Sequence, residues 1–194
     1  MGVGTIGSFA IIILANQNQK SDQSRYNELQ AQYQKDVAAQ TKELSDKYYS
    51  TFSQYSSRVG TFDAAGVTEL KTEDLKVGDG EALTAESSFT AYYIGWTPDG
   101  KIFDSSISGE TLKAPFTAAP GQVIKGWTNG VAGMKVGGVR ELAIPSDQAY
   151  GEAGSGEKIP ANTPLKFVMM VIPTPEAVAV PQELIDLYGR LNKQ

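Results

Sequence analysis

The sequence predicts an α+β fold: a central region of strands and one short helix, with a long helix ahead of it and a short helix behind it. Three observations carry this. Residues 88–96, 139–144 and 165–172 are rich in β-favouring or apolar residues, and the hydrophobic period of this region is two. Between them, one stretch at 125–134 has helical spacing. Ahead of them, residues 21–59 contain neither glycine nor proline and carry one stripe of bulky side chains.

Taken in order, residues 1–20 form an apolar, anchor-like or signal-like segment that includes the run Phe9-Ala10-Ile11-Ile12-Ile13-Leu14-Ala15. Its uncharged part is shorter than the roughly 20 residues a membrane-spanning helix needs. No basic side chain precedes it, as a signal peptide would require. The expectation is the end of a membrane anchor or signal segment whose upstream part lies outside this sequence; a buried apolar segment of a soluble protein is the alternative. Residues 21–59 read as a long polar helix or stalk. Tyr26, Leu29, Tyr33, Val37, Leu44, Tyr48, Phe52, Tyr55 and Val59 recur in steps of three, four or seven, which places them on one face. The mean step lies nearer that of a straight helix than the heptad step, so a left-handed coiled coil is not strongly indicated. Such a helix reaches on the order of 50 Å, and its stripe reads as a packing face. Residues 60–65 break the pattern as a hinge.

The main domain is expected at 66–173. After the aromatic strand at 88–96, Thr97-Pro98-Asp99-Gly100 supplies turn chemistry and Lys101-Ile102-Phe103 resumes an extended pattern. In the last strand, Leu165, Phe167, Met169 and Val171 share one face. The helical stretch spaces Trp127, Val131 and Met134 correctly but holds three glycines, so packing must hold it. Residues 174–194 form a C-terminal extension. There Pro181, followed by Glu183 and Asp186, signals the start of a short helix.

Composition narrows the chemistry. The net charge of −5 argues against nucleic acid as a partner. The chain has no cysteine and no histidine, which removes disulfides, thiolate nucleophiles, imidazole bases and Cys- or His-based metal sites. Gly2-Val3-Gly4-Thr5-Ile6-Gly7 has glycine spacing for a dinucleotide loop, but no strand fits before it. Residues 151–158 resemble a phosphate loop, except that Glu157 follows Gly156 where lysine is needed. Neither pattern supports a site, and no cofactor or metal is expected.

What remains is a density of aromatic and aliphatic residues beside turns in the central region. Tyr93-Ile94-Gly95 is followed by Asp99-Gly100-Lys101-Ile102-Phe103-Asp104-Ser105-Ser106, and then by Gln122-Val123-Ile124-Lys125-Gly126-Trp127 with Gly130, Val131 and Met134. Ile144-Pro145, Ala149-Tyr150-Gly151, Ile159-Pro160 and Leu165-Lys166-Phe167 complete the series. In order and approximate spacing these segments, covering about half the chain, resemble the FKBP-type peptidyl-prolyl cis–trans isomerases.

The resemblance implies an antiparallel sheet curled around the short helix, with an apolar pocket between them. Trp127 would floor the pocket beneath a prolyl ring, and Tyr93, Phe103 and Phe167 would wall it. Val123, Ile124 and Ile159 would form the rim. The Ile124 amide and the Tyr150 hydroxyl would hold substrate carbonyls, and Asp104 would be polar at the edge. Phe116 aligns either with the family's pocket phenylalanine or with a neighbour of it. Ser155 and Lys158 depart from the family's ring-bearing and apolar flap positions, making that rim more polar. The implied activity is isomerisation of Xaa-Pro bonds in support of folding; a module that binds proline motifs with incidental turnover is the alternative. Implied partners are proline-containing polypeptides and macrolide inhibitors. From the N-terminal segments come three further expectations: attachment to a membrane, oligomerisation through the long helix, and a domain held outside the cytoplasm, with a cytoplasmic location as the alternative.

Overall fold

The computed structural model describes residues 6–192, with side chains from Asn18 onward. The apolar run expected to anchor the chain falls outside the described side chains. Among the described residues, no helix is long and apolar enough to cross a membrane.

The chain divides into two compact units, Met1–Gln40 with Glu176–Gln194, and Thr41–Pro175. Helix α1, Ile6–Ser53, contributes to both. In the first unit the C-terminal segment runs back along α1 and carries α3, Gln182–Leu191. Leu184 and Leu187 are the buried residues of α3. Tyr26 stacks on Tyr188 with ring centroids 6.4 Å apart. Arg25 grips the Glu183 carboxylate with two bonds of 2.9 Å. The N-terminal part of the predicted stripe is therefore occupied by the chain's own C-terminus.

The second unit is built on an antiparallel sheet. Its strands are β1 Lys71–Lys76, β2 Phe89–Trp96, β3 Ile102–Ser105, β6 Phe116–Ala118, β7 Val139–Ile144 and β8 Leu165–Ile172. Among the described residues the order is β1-β7-β8-β2-β3, with β6 also paired to β2. A small separate hairpin joins β4, Ile107–Ser108, to β5, Thr111–Leu112. β8 lies in the middle and is covered on both sides, which is why it reads Leu-Lys-Phe-Val-Met-Met-Val-Ile with scarcely a polar break. Leu165, Phe167, Met169 and Val171 turn to one core. Val168, Met170 and Ile172 turn to the other.

The first face is covered by α2, Lys125–Gly130, which is shorter than the helical spacing to Met134 suggested. Its glycines explain both its brevity and its position. A Cβ on Gly126 would lie 2.2 Å from the Cγ2 of Ile144, and one on Gly130 would lie 2.8 Å from the Cδ2 of Leu142. The helix thus rests on β7 at a distance only glycine permits. Arg140 ties its C-terminal end, donating to the carbonyls of Gly130 at 2.8 Å and Ala132 at 3.0 Å while pairing with Asp74 of β1.

The second face is covered by the end of α1. Phe52 is fully buried against Tyr92, with centroids 6.2 Å apart, and Tyr48 lies 6.1 Å from the same ring. Ser45 accepts into its hydroxyl the Leu112 amide at 2.8 Å. The compact unit therefore begins at Thr41, within the segment whose sequence reads as a stalk. Residues 60–66 do not hang free either, since the Phe62 amide donates to the Pro98 carbonyl at 3.0 Å.

Candidate functional site

Between α2 and the first face of the sheet lies a cleft of about 440 Å³. Tyr93, Phe103, Asp104, Phe116, Val123, Ile124, Trp127, Tyr150 and Phe167 all line it, drawn from β2, β3, β6, β8, α2 and the loops. The rings meet edge to face. Trp127 is 5.0 Å from Tyr93, 5.2 Å from Phe167 and 5.8 Å from Phe116, at interplanar angles of 72°, 83° and 80°. Phe103 meets Phe167 at 5.4 Å and 85°. Such crossed rings give the cleft apolar walls set at steep angles to one another rather than a parallel stack.

Two local devices open this slot. A Cβ on Gly95 would lie 2.6 Å from both Phe103 and Phe167, so the bare glycine makes room for their crossing. Between β2 and β3, Gly95 pairs with Asp104 and Trp96 with Ile102, leaving Phe103 of β3 as an extra residue in a bulge. Consecutive strand residues ordinarily face opposite ways; the bulge lets Phe103 and Asp104 serve one cleft.

Polar groups are few and placed at the edges. Tyr93 donates its phenolic proton to Asp104 Oδ2 at 2.5 Å, and the other oxygen of Asp104 accepts the Ser105 amide at 2.8 Å. Burial first, and then the bond to Asp104, hold the Tyr93 phenol well above its ordinary range. Burial, and then the charge of Asp104, push Tyr150 the same way. Both phenols therefore remain proton donors through the neutral range. Among the described residues the amide of Ile124 donates to no carbonyl, although its own carbonyl accepts from Trp127 and Thr128 at 3.0 and 3.3 Å.

Ile159 is placed differently from the rest. It is 4% exposed and belongs to the core behind the cleft. It touches a neighbouring recess lined by Phe103, Asp104, Tyr150, Ser155 and Lys158 rather than the aromatic slot. A two-way backbone bridge to Ser155, with bonds of 2.8 and 3.2 Å, pulls it inward. Lys158 points its ammonium group at the Phe103 carbonyl, 3.0 Å away. Phe116, whose alignment was open, lies in the cleft at 39% exposure. Gly121 and Gln122 also line it and went unassigned as site residues. Gly121 has φ +78°, a turn signal that marks the loop but not its function.

Comparison with known proteins places the chain in one family. A model of the FKBP-type peptidyl-prolyl cis-trans isomerases matches residues 79–172. The FK506-binding protein of Neisseria meningitidis serogroup A is 43% identical over 98 residues, covering 50% of this chain and 89% of that protein. FK506-binding protein 4 of Dictyostelium discoideum is 47% identical over 100 residues, and that of Rhizopus delemar 43% over 98. The chain spans only about a quarter of the length of these two relatives, 26% and 25%. A crystal structure of a peptidyl-prolyl cis-trans isomerase from Pseudomonas syringae is similar at 30% identity and a TM-score of 0.49, covering 68% of this chain and 96% of that one. The chain belongs to the FKBP-type peptidyl-prolyl cis–trans isomerase family.

Proposed function

We propose that this protein accelerates cis–trans isomerisation of Xaa-Pro bonds in polypeptides, and that the cleft over Trp127 is where it does so. The observation that carries this reading is the convergence of six aromatic rings, one free amide and one anchored carboxylate on a single apolar slot. The barrier to rotating a peptide bond is about 18–20 kcal/mol, because conjugation makes the planar amide partly double-bonded. Prolyl bonds left alone take tens to hundreds of seconds. The twisted amide has lost conjugation and carries less charge separation, so an apolar slot disfavours the planar form relative to it.

Trp127 supports the prolyl ring, while Tyr93, Phe103, Phe116 and Phe167 exclude water around it. The Ile124 amide and the Tyr150 hydroxyl take the carbonyls flanking the ring. Asp104, held by Tyr93, faces the prolyl nitrogen side of the slot. None of these groups changes protonation between reactant and product. A macrolide of the kind for which the relatives are named would enter the same slot, held less firmly where Lys158 and Ser155 make the adjoining recess polar. The membrane attachment we infer rests on the composition of residues 1–20; detergent-phase partitioning of the full-length chain tests it.

A protease-free assay of cis–trans relaxation in a four-residue Xaa-Pro peptide tests the activity. The expected result is acceleration proportional to protein concentration. No acceleration would leave the cleft as a binding site alone.

A further inference from the structure

A second depression lies across Phe103 from the prolyl cleft. It holds about 600 Å³ and is lined by Ile102, Phe103, Pro160 and Pro164, with Ala64 on one wall and Lys158 on its inner lip. Three features single it out. It is continuous with the cleft: the recess between them shares Phe103, Asp104 and Tyr150 with the cleft, and Phe103, Glu157 and Lys158 with the groove. Its lining is largely apolar, and Ile102 is 49% exposed there. Of the lip charges, Lys101 pairs with Asp99 at 2.7 Å and Lys158 donates to the Phe103 carbonyl at 3.0 Å, while Glu157 makes no ion pair among the described residues. Ala64 of its wall belongs to residues 60–66, which lie ahead of the family-matched residues 79–172 and are hooked to the β2–β3 turn through Phe62 and Pro98.

We propose that this groove is a subsite for the polypeptide substrate itself, taking a bulky aliphatic or aromatic side chain a few residues from the prolyl bond. A chain whose proline occupies the cleft and which leaves across Phe103 passes over the recess and reaches the groove. The occupant is apolar because Ile102, Phe103, Pro160 and Pro164 make the floor, and the carboxylates of Asp99 and Glu157 in the lining disfavour an acidic side chain. The inference rests on the isomerase reading and extends it, giving the segment before the matched domain a part in substrate selection.

The test uses the full-length chain and two substrate types in the relaxation assay. One is the four-residue Xaa-Pro peptide, too short to reach the groove. The other is a set of twelve-residue peptides with the same centre, in a Ser/Gly background, with one leucine moved stepwise along each flank. One leucine position should raise kcat/KM about tenfold over the all-Ser/Gly peptide, as expected for burial of one apolar side chain. Ile102→Glu, which makes the groove polar, and Ala64→Trp, which fills it, should each erase that gain while changing the four-residue rate by less than about twofold. A flat leucine scan overturns the subsite, and so does an equal loss on both substrate types. If the four-residue peptide is not accelerated at all, the isomerase reading fails separately. The groove is then judged by anisotropy of the labelled leucine peptide, and equal binding to wild type and Ile102→Glu overturns it.

Discussion

Tyr92 and Tyr93 are adjacent on β2, chemically identical, and turned to opposite sides of one sheet. Tyr92 is fully buried beneath Phe52 and Tyr48, and its hydroxyl has no hydrogen-bond partner among the described residues. Tyr93 stands half-buried in the cleft with its hydroxyl on Asp104. The faces they serve are both rich in aromatic rings. One is sealed by a helix of the same chain and contributes stability; the other is held open by Gly95 and a bulge and is available for a ligand. Aromatic content alone therefore does not mark a site. What separates the two faces is whether something in the chain covers the rings.

The largest effect expected from breaking this comparison is on the sealed face. Phe52→Ala should cost about 3–5 kcal/mol, as for a fully buried ring that leaves a cavity. Urea denaturation reads the loss, while kcat/KM measured well below the unfolding transition should stay within about twofold of wild type. On the open face the pattern should reverse. Replacing Phe103 and Asp104 together by Ala and Val should lower kcat/KM by about 100-fold, close to 3 kcal/mol of barrier. Circular dichroism should show the fold retained, since neither side chain is fully buried. Retention of full activity would show that the reactive slot lies elsewhere.

Between these lies the contact that couples scaffold to slot. Gly126→Ala would drive a methyl group into Ile144, and overpacking of this kind costs about 1–3 kcal/mol, offset in part by better helix propensity. Because Trp127 follows directly, activity should fall along with stability, and Ile144→Ala, which removes the Cγ2 that the new methyl group would meet, should restore part of the activity. The smallest effect is at Tyr92. Tyr92→Phe deletes a buried hydroxyl without a partner and should raise stability by about 1 kcal/mol at neutral pH. Burial, and then Tyr48, push the Tyr92 phenol up to about 12. Its neutral form thus supports the fold fully below the ordinary phenol range, and that support is lost as pH rises from about 10 toward 12. The variant should lose less stability than wild type over that interval in urea melts.

Much of this was legible in the chain. The two-period strands, the alternation in β8 and the order of the aromatic segments are local patterns that the structure reproduces. β1 was not legible: Lys-Thr-Glu-Asp-Leu-Lys is an exposed edge strand, and its near-complete polarity gives no alternation to read. The short β6 gave no signal of its own either, yet it carries Phe116 into the cleft by pairing Phe116 with Ala91. The burial of Ile159 depends on a backbone bridge to Ser155 that no spacing announces.

By itself, then, the sequence determined the period of each segment, the absence of imidazole and thiol chemistry, and the set of rings from which a site could be made. Tertiary structure alone decided which rings stay open. That choice depends on contacts between distant residues: α1 closing over Tyr92 while Tyr93 remains in the cleft, Gly95 admitting Phe103 beside Phe167, and Gly126 setting how closely Trp127 approaches the sheet. Each is a matter of a few ångströms between segments far apart in the chain, and hydrophobic periodicity carries no information about that distance.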